Sequence, residues 1–564
     1  MQELPIGISN FRTLIEYRNP LTQEGYLYVD KSLLIKAIIG DGSQVVVLTR
    51  PRRFGKTLNL SMLHHFFATE VEGQTTKGLF DGLKISKDPI CMKEQGQYPV
   101  IFITLKDAKY KTYALCFDHI KVQIANIYSE YRFLLESKQL NPEDQDLYKQ
   151  ILEKKADQVC WNESIKSLTK FIKKATGKPA IILIDEYDTP IQEAYLNGYY
   201  EELISFMRNL LSSGLKDNGF FKRAILTGIL RVSKESLFSG LSNVETYSIL
   251  DQNYSSYFGF TEEDTNELLD KAKLPVDLQQ TKQWYNGYIF GGTTIYNPWS
   301  IIKFIKAKGK IGSYWIHTSG NELIKELVIK SDSETQEKLG QLIAGQVINE
   351  TIDEHIIFQD LEKNRAAIWS LFLMTGYLKA IKIKMNVNGD EECELAIPNK
   401  EVESLYKRII REWLSGSRGI VWYQDFLAAL VAGRVEEFEH KLQNAIEEMA
   451  SYHDTNKSTQ EIFYQGLMLG ILAGLKDSHE VRSNRESGKG RYDLIIIPKN
   501  PKELGIIMEF KAINDPSNLI DAATDALAQI TKSKYSIELT AKGITRICSM
   551  GISFSGKAIK IVTE

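Results

Sequence analysis

An apolar run, Val45 to Thr49, leads straight into Arg50-Pro51-Arg52-Arg53-Phe54-Gly55-Lys56-Thr57. Near the other end of the chain stand Asp493, Glu509 and Lys511. The first group is most of a phosphate-binding loop. Backbone N–H groups opened by glycine converge on phosphates at a helix N-terminus, a lysine reaches the β and γ phosphates, and a Ser or Thr hydroxyl holds Mg2+. Gly55, Lys56 and Thr57 fill those roles, and Leu60, Leu63 and Phe67 recur at helical spacing behind them. The pattern G-x-x-x-x-G-K-[ST] asks for glycine at position 50, where Arg50 stands. A residue before proline is driven to extended geometry, so Arg50 is expected to prolong the strand and Pro51 to begin the loop. Arg52 and Arg53 add donors to a loop short of glycine; the bland alternative for both is solvated surface charge.

The other half of a nucleotide site belongs on a later strand, and "PAIILIDEYDTP" supplies it. Asp185 is placed to order the Mg2+ shell, and Glu186 to orient or deprotonate the attacking water. Asp188 or Thr189, followed by Pro190 at a first helical position, reads as the cap of the next helix. A third run, "AILTG", ends at Thr227, a candidate γ-phosphate sensor, with Arg231 just beyond to meet developing charge.

In the C-terminal group, Glu509 and Lys511 are two apart on a strand and face the same side, with Phe510 turned to the core. An antiparallel neighbour can bring Asp493 beside them. Paired carboxylates bind Mg2+ through oxygen, and the lysine positions or activates water or meets charge on phosphorus. The [DE]-x-K tripeptide also occurs at Asp107–Lys109, Glu153–Lys155 and Glu439–Lys441, but only Glu509–Lys511 sits in a helix–strand–strand–helix setting. A structural ion pair on a strand face is the bland alternative. Arg482, Arg485, Lys489 and Arg491 read as a phosphate-contacting loop. Gln529, on the following helix, is expected to reach the acids, and Glu461 to add a metal ligand.

These groups need elements to hold them. "VVVLT", "VIFITL", "AIILID" and "FKRAILTG" alternate with helix-like segments up to about residue 230, which implies a mostly parallel sheet covered by helices on both faces. Beyond about 240, helices are expected to dominate, and Thr261 with Asp264 three residues on reads as a capping box. From Glu461 the pattern reads αβββαβ. The expected domains are 1–240, 241–455 and 456–564: a P-loop core, a helical lid and linker, and a compact α/β unit. A length of 564 residues exceeds what one core organises. Net charge is −3, so any nucleic-acid contact rests on a local patch. The five cysteines form no C-x-x-C pair, which argues against a disulfide framework or a cysteine zinc site and fits a reducing cytosol. The opening "MQELPIGISNF" carries no signal-peptide pattern, and the apolar runs fall short of the ~20 residues a spanning helix needs. A cytoplasmic protein without membrane contact is expected.

With both groups placed, the N-terminal half resembles the AAA-ATPase-like domain in "RPRRFGKT", "LIDEYDTP", "YFGFTEED", "WYNGY", "YNPWS" and "IPNKEV". The C-terminal end resembles the PD-(D/E)xK nuclease superfamily in "SNRESGKGRYDLIIIP", "MEFK" and "ISFSGKAIKI", with Tyr492 in the place of the motif's proline. The resemblance makes the absent first glycine a family trait. It implies ATP and Mg2+ at Gly55, Lys56, Thr57 and Asp185. It also implies a nuclease centre of Asp493, Glu509 and Lys511 supported by Gln529, with Mg2+ or Mn2+ between the acids. The expected fold class is α/β: a P-loop NTPase sheet with a helical lid, plus a C-terminal nuclease-like domain. The expected partner is nucleic acid, DNA first, with self-association left open. Three functions stay in contention: an ATP-dependent nuclease, an ATP-switched defence or signalling assembly, and a nucleic-acid-binding module that does not cut.

Overall fold

The computed structural model describes residues 3–231, 243–316 and, with short breaks, 324–448 and 464–564. The chain divides into two compact units, Met1–Ser319 with Glu350–Cys393, and Gly320–Asn349 with Glu394–Glu564.

The first unit is built on strands β1 (Val45–Thr49), β2 (Val100–Thr104), β3 (Ala180–Asp185), β4 (Phe221–Gly228) and β5 (Val244–Tyr247). They form one sheet in the order β2-β3-β4-β1-β5, every pair parallel. β1 and β3 are buried along their whole length, as a sheet covered on both faces requires. The four strands legible as apolar runs are all present. β5 is an addition: "VETY" is short, half-exposed and at the sheet edge, so no apolar run announces it. It carries the parallel sheet past residue 240. The region read as helical also contains strands at Ile348–Ile352, Lys379–Met385 and Glu391–Ala396. The capping box forms as expected, with reciprocal bonds between Thr261 and Asp264.

The parallel register sets the ends of the strands level. Thr104 stands beside Asp185, Asp185 beside Thr227, and Thr49 beside Gly228. Helix α1 (Lys56–Phe67) starts from the end of β1, and α2 (Thr189–Asn197) from just past the end of β3. Open α/β sheets bind ligands at these carboxyl ends.

The second unit holds a mixed sheet of β6 (His479–Ser487), β7 (Gly490–Pro498), β8 (Gly505–Ala512), β9 (Ile547–Ser555) and β10 (Ala558–Thr563), paired in chain order. Only β8 and β9 run parallel, because helix α3 (Leu519–Ser533) lies in their connection. The closing strand of the sequence reading is a hairpin, turned at Gly556 (φ +56°). Tyr492, Ile495, Ile497 and Ile507 of the sheet pack against Ile530, Tyr535, Leu539 and Ile544.

Candidate active sites

In the first unit the loop after β1 is held from below by Arg50, which is fully buried. Its backbone N–H donates to Gly228 O at 3.0 Å, so the strand pairing does run on through this residue. Its Nη1 donates to the carbonyls of Thr49 (2.7 Å), Tyr247 (2.9 Å) and Ser248 (2.7 Å). The guanidinium also lies over the rings of Phe258 and Phe290. Burial draws its pKa down to about 10, against the opposing charges of Asp251 and Glu354. The residue in the place of glycine is therefore a tether between the loop and the segments after β5.

The loop then turns through two left-handed residues, Arg53 (φ +69°) and Gly55 (φ +87°). A Cβ at Gly55 would meet nothing within 4 Å, so conformation and not space demands glycine there. Left-handed turns of this kind aim successive N–H groups into an anion-binding concavity. Aromatic residues wrap the outside. Phe54 packs edge-on to Tyr288 at 5.0 Å, and its carbonyl accepts from Gly259 N at 3.0 Å. The Arg53 guanidinium sits 4.5 Å from the Trp299 ring centre, and Arg52 donates to Gln192 Oε1 at 3.0 Å. In this structure both arginines anchor the loop. The stretches "YFGF", "WYNGY" and "YNPWS" thus gather around the phosphate loop from 200 or more residues along the chain.

Lys56, 4% exposed, donates to the carbonyls of Arg50 (3.0 Å) and Pro51 (3.1 Å). Burial lowers its pKa, while Glu186, Asp188 and Asp185 pull the other way. Thr57 Oγ1 donates to Asp185 Oδ2 at 2.8 Å, and Thr227 Oγ1 to Asp185 Oδ1 at 2.7 Å. Asp185 is fully buried, and that burial raises its pKa. A lysine, a hydroxyl and a carboxylate brought together this way fit a nucleotide triphosphate and its divalent ion: hard oxygen donors for the ion, and a cation for the phosphates. Glu186 follows with a strained left-handed backbone (φ +51°), of the kind that clusters at active sites.

Asp188 does not cap α2 with its side chain. Its carboxylate instead accepts the N–H groups of Ile229 (2.8 Å) and Leu230 (2.9 Å), and Tyr187 donates its hydroxyl to Leu230 O. Those two N–H groups lie just past the end of β4 and belong to buried residues, so the carboxylate meets donors that need an acceptor. Thr189 donates to Glu186 at 3.3 Å. A Cβ at Gly228 would come within 2.7 Å of Tyr187 and 2.8 Å of Asp188, so glycine there permits the clamp. Arg231 pairs with Glu354 at 3.2 Å.

In the second unit, β7 and β8 pair up to Leu494 with Met508. At the next position the acids take over the ladder. Asp493 N donates to the Glu509 carboxylate at 3.4 Å, and Phe510 N to the Asp493 carboxylate at 2.9 Å. Both acids are thereby locked on one spot between the strands. Gln529 of α3 donates to Glu509 Oε1, as expected, and Gln465 holds the Asp493 carbonyl at 2.8 Å. Lys511 pairs with Asp525 of α3 at 3.2 Å. A carboxylate offers about four acceptor positions, so two acids each holding an N–H can still serve a hard divalent cation. Among the described residues no group of three or more His, Cys, Asp or Glu gathers as a ready-made metal cage.

Two residues that place α3 were not singled out in the sequence. A Cβ at Gly551 would come within 2.0 Å of Ala523 O and 2.5 Å of Leu527 N, so only glycine lets the helix lie on β9. Ser553 Oγ donates to Leu519 O at 2.7 Å and fixes the helix start. The signal available was a glycine inside a strand pattern, which marks close backbone approach. The basic run read as a phosphate-contacting loop is a β-hairpin, pairing Ser483 with Leu494 and Arg485 with Tyr492. Arg482 is held there by Glu480 (2.7 Å) and Glu538 (2.5 Å). Glu461 and Lys489, and the side chains of Arg485 and Arg491, lie outside the described residues.

Residues 5–238 match the family described as predicted AAA-ATPase, AAA-ATPase-like, and residues 459–564 match the PD-(D/E)XK nuclease superfamily. The first part of the chain is thus similar to an AAA-ATPase-like domain and the last part to a PD-(D/E)XK nuclease domain, and these two families suggest ATPase and nuclease chemistry. It is similar along its whole length to an uncharacterized protein in the vnfD 5' region of Azotobacter chroococcum mcd 1. The two are 24% identical over 575 residues, covering 100% of this chain and 98% of that one. No helix among the described residues is long and apolar enough to cross a membrane.

Proposed function

We propose that the first unit binds and hydrolyses ATP, and that its nucleotide state controls a Mg2+-dependent nuclease in the second, acting on DNA in the cytoplasm. The observation that carries the reading is the pair of constellations: Thr57 and Thr227 bonded to one buried carboxylate, Asp185, and Asp493 and Glu509 interlocked across two strands.

At the first site Lys56 leaves the loop carbonyls to meet the β and γ phosphates. Thr57 and Asp185 would hold the ion, which would supply charge neutralisation for the phosphates. Glu186, held by Thr189, orients the attacking water. Arg52 and Arg53 keep the loop in shape through Gln192 and Trp299. At the second site Asp493 and Glu509 would hold a divalent ion, Mg2+ with Mn2+ as a substitute, and that ion would supply Lewis-acid polarisation of the phosphodiester. Lys511 positions the attacking water and meets charge on phosphorus, and Gln529 orients Glu509.

The test incubates wild type, Lys56→Ala and Lys511→Ala with linear and circular DNA and RNA, in Mg2+ or Mn2+, with and without ATP. Cleavage lost in Lys511→Ala, with ATP hydrolysis retained there and lost in Lys56→Ala, supports both sites. ATP hydrolysis without cleavage of any substrate overturns the nuclease reading and leaves a nucleotide-switched binding protein.

A further inference from the structure

Arg231 leaves β4 at a fixed point. Asp188 holds the N–H groups of the two preceding residues, Ile229 and Leu230, and Tyr187 holds the Leu230 carbonyl. Three residues back from Leu230, Thr227 bonds Asp185. The backbone of Arg231 is thus pinned near the proposed ATP site, and only its side chain has freedom to choose a partner.

That partner is Glu354, 123 residues further on, through a single contact of 3.2 Å to Nη1. The Arg231 Nε is buried with no partner among the described residues, so the donor fork is incompletely used. A planar guanidinium meets a phosphate with two parallel bonds, more strongly than one bond to a carboxylate. Glu354 is itself held by the Ser248 hydroxyl, and the Ser248 carbonyl accepts from Arg50 at the root of the phosphate loop. Burial and neighbouring Asp251 raise the Glu354 pKa. A half-buried ion pair is weak evidence for stability, since an apolar replacement is often as good. A pair that opens when a stronger anion arrives accounts for its presence.

We infer that Glu354 competes with the terminal phosphate of a nucleoside triphosphate for Arg231, and so sets how well the site tells triphosphate from diphosphate. The inference rests on the ATP site proposed for this unit. Glu354 is a specificity-determining residue acting through Arg231, and ADP, lacking the third phosphate, leaves the pair closed.

The test measures Kd for a non-hydrolysable ATP analogue and for ADP, both with Mg2+, by titration calorimetry on the full chain. The variants are Glu354→Gln, Glu354→Asp, Arg231→Ala, the Arg231→Ala/Glu354→Gln double variant, and Lys56→Ala. Glu354→Gln, which keeps an acceptor for Ser248, should tighten the triphosphate about 5- to 10-fold, the low end of common coupling energies, and leave ADP within about twofold. The shorter Glu354→Asp should shift the same way, and the effect should vanish when Arg231 is absent. An equal shift for both nucleotides, no shift, or a shift that survives Arg231→Ala overturns the inference while the ATP site stands. Wild type that binds neither nucleotide overturns the ATP site, and the inference with it.

Discussion

Replacing Gly551 with alanine should disable the proposed nuclease site without touching a single residue in it. The added methyl would lie 2.0 Å from Ala523 O and 2.5 Å from Leu527 N. A carbon resting on a carbonyl oxygen needs about 3.3 Å, so α3 must retreat by roughly 1 Å. Both obstacles are helix backbone, which cannot turn aside as a side chain can. The retreat carries Gln529 off Glu509 and Asp525 off Lys511. Misplacing catalytic groups by about 1 Å costs on the order of 100-fold in rate, and overpacking costs about 1–3 kcal/mol of stability. The assay compares single-turnover cleavage of labelled DNA by wild type and Gly551→Ala, with ATP binding and circular dichroism as controls on the rest of the chain. Cleavage within threefold of wild type would refute the claim that α3 positions this site.

Gln529→Ala removes the donor on Glu509 and should raise the Mn2+ concentration for half-maximal cleavage about 10- to 100-fold, the usual range for partners of metal ligands; an unchanged midpoint would make Gln529 a bystander. Asp185→Asn separates stability from function. A carboxyl whose pKa is raised by folding contributes most while protonated, and that contribution fades as pH rises through the folded value. The variant without nucleotide should therefore melt higher than wild type at pH 8, by less at pH 5, and hydrolyse no ATP; a lower melt at pH 8 contradicts this. Arg50→Met leaves the carbonyls of Thr49, Tyr247, Ser248 and Asn253 without their side-chain donor, at about 1 kcal/mol or more each, and should lower the free energy of the first unfolding transition in denaturant by roughly 3 kcal/mol or more. Arg50→Lys, with one point charge in place of a planar fork, should fall between it and wild type.

The parts of the two sites legible in the sequence are those written in local pattern. Four apolar runs became β1 to β4, Gly55-Lys56-Thr57 opened α1, and Glu509 and Lys511 came to one face, under α3, because strand periodicity is two. What escaped depends on partners far along the chain. Position 50 reads as a strand residue before proline, but the burial of its guanidinium becomes intelligible only when carbonyls of Tyr247 and Ser248, 197 and 198 residues away, close around it. Asp188 or Thr189 reads as a helix cap because Pro190 follows at a first helical position; the Asp188 carboxylate is instead taken by backbone N–H groups just past the end of β4. Arg482 looked like a phosphate contact, yet a strand neighbour and Glu538 had already taken it. Glu354 carried no local signal at all.

In the proposed function, ATP at one site governs cutting at the other. The most direct measurement follows the DNA cleavage rate in Mg2+ as ATP is titrated, for wild type and for Lys56→Ala. Under ATP control the rate changes with ATP in wild type and stays flat in Lys56→Ala at every ATP concentration. Cleavage that is equally fast with and without ATP, in both proteins, would contradict it.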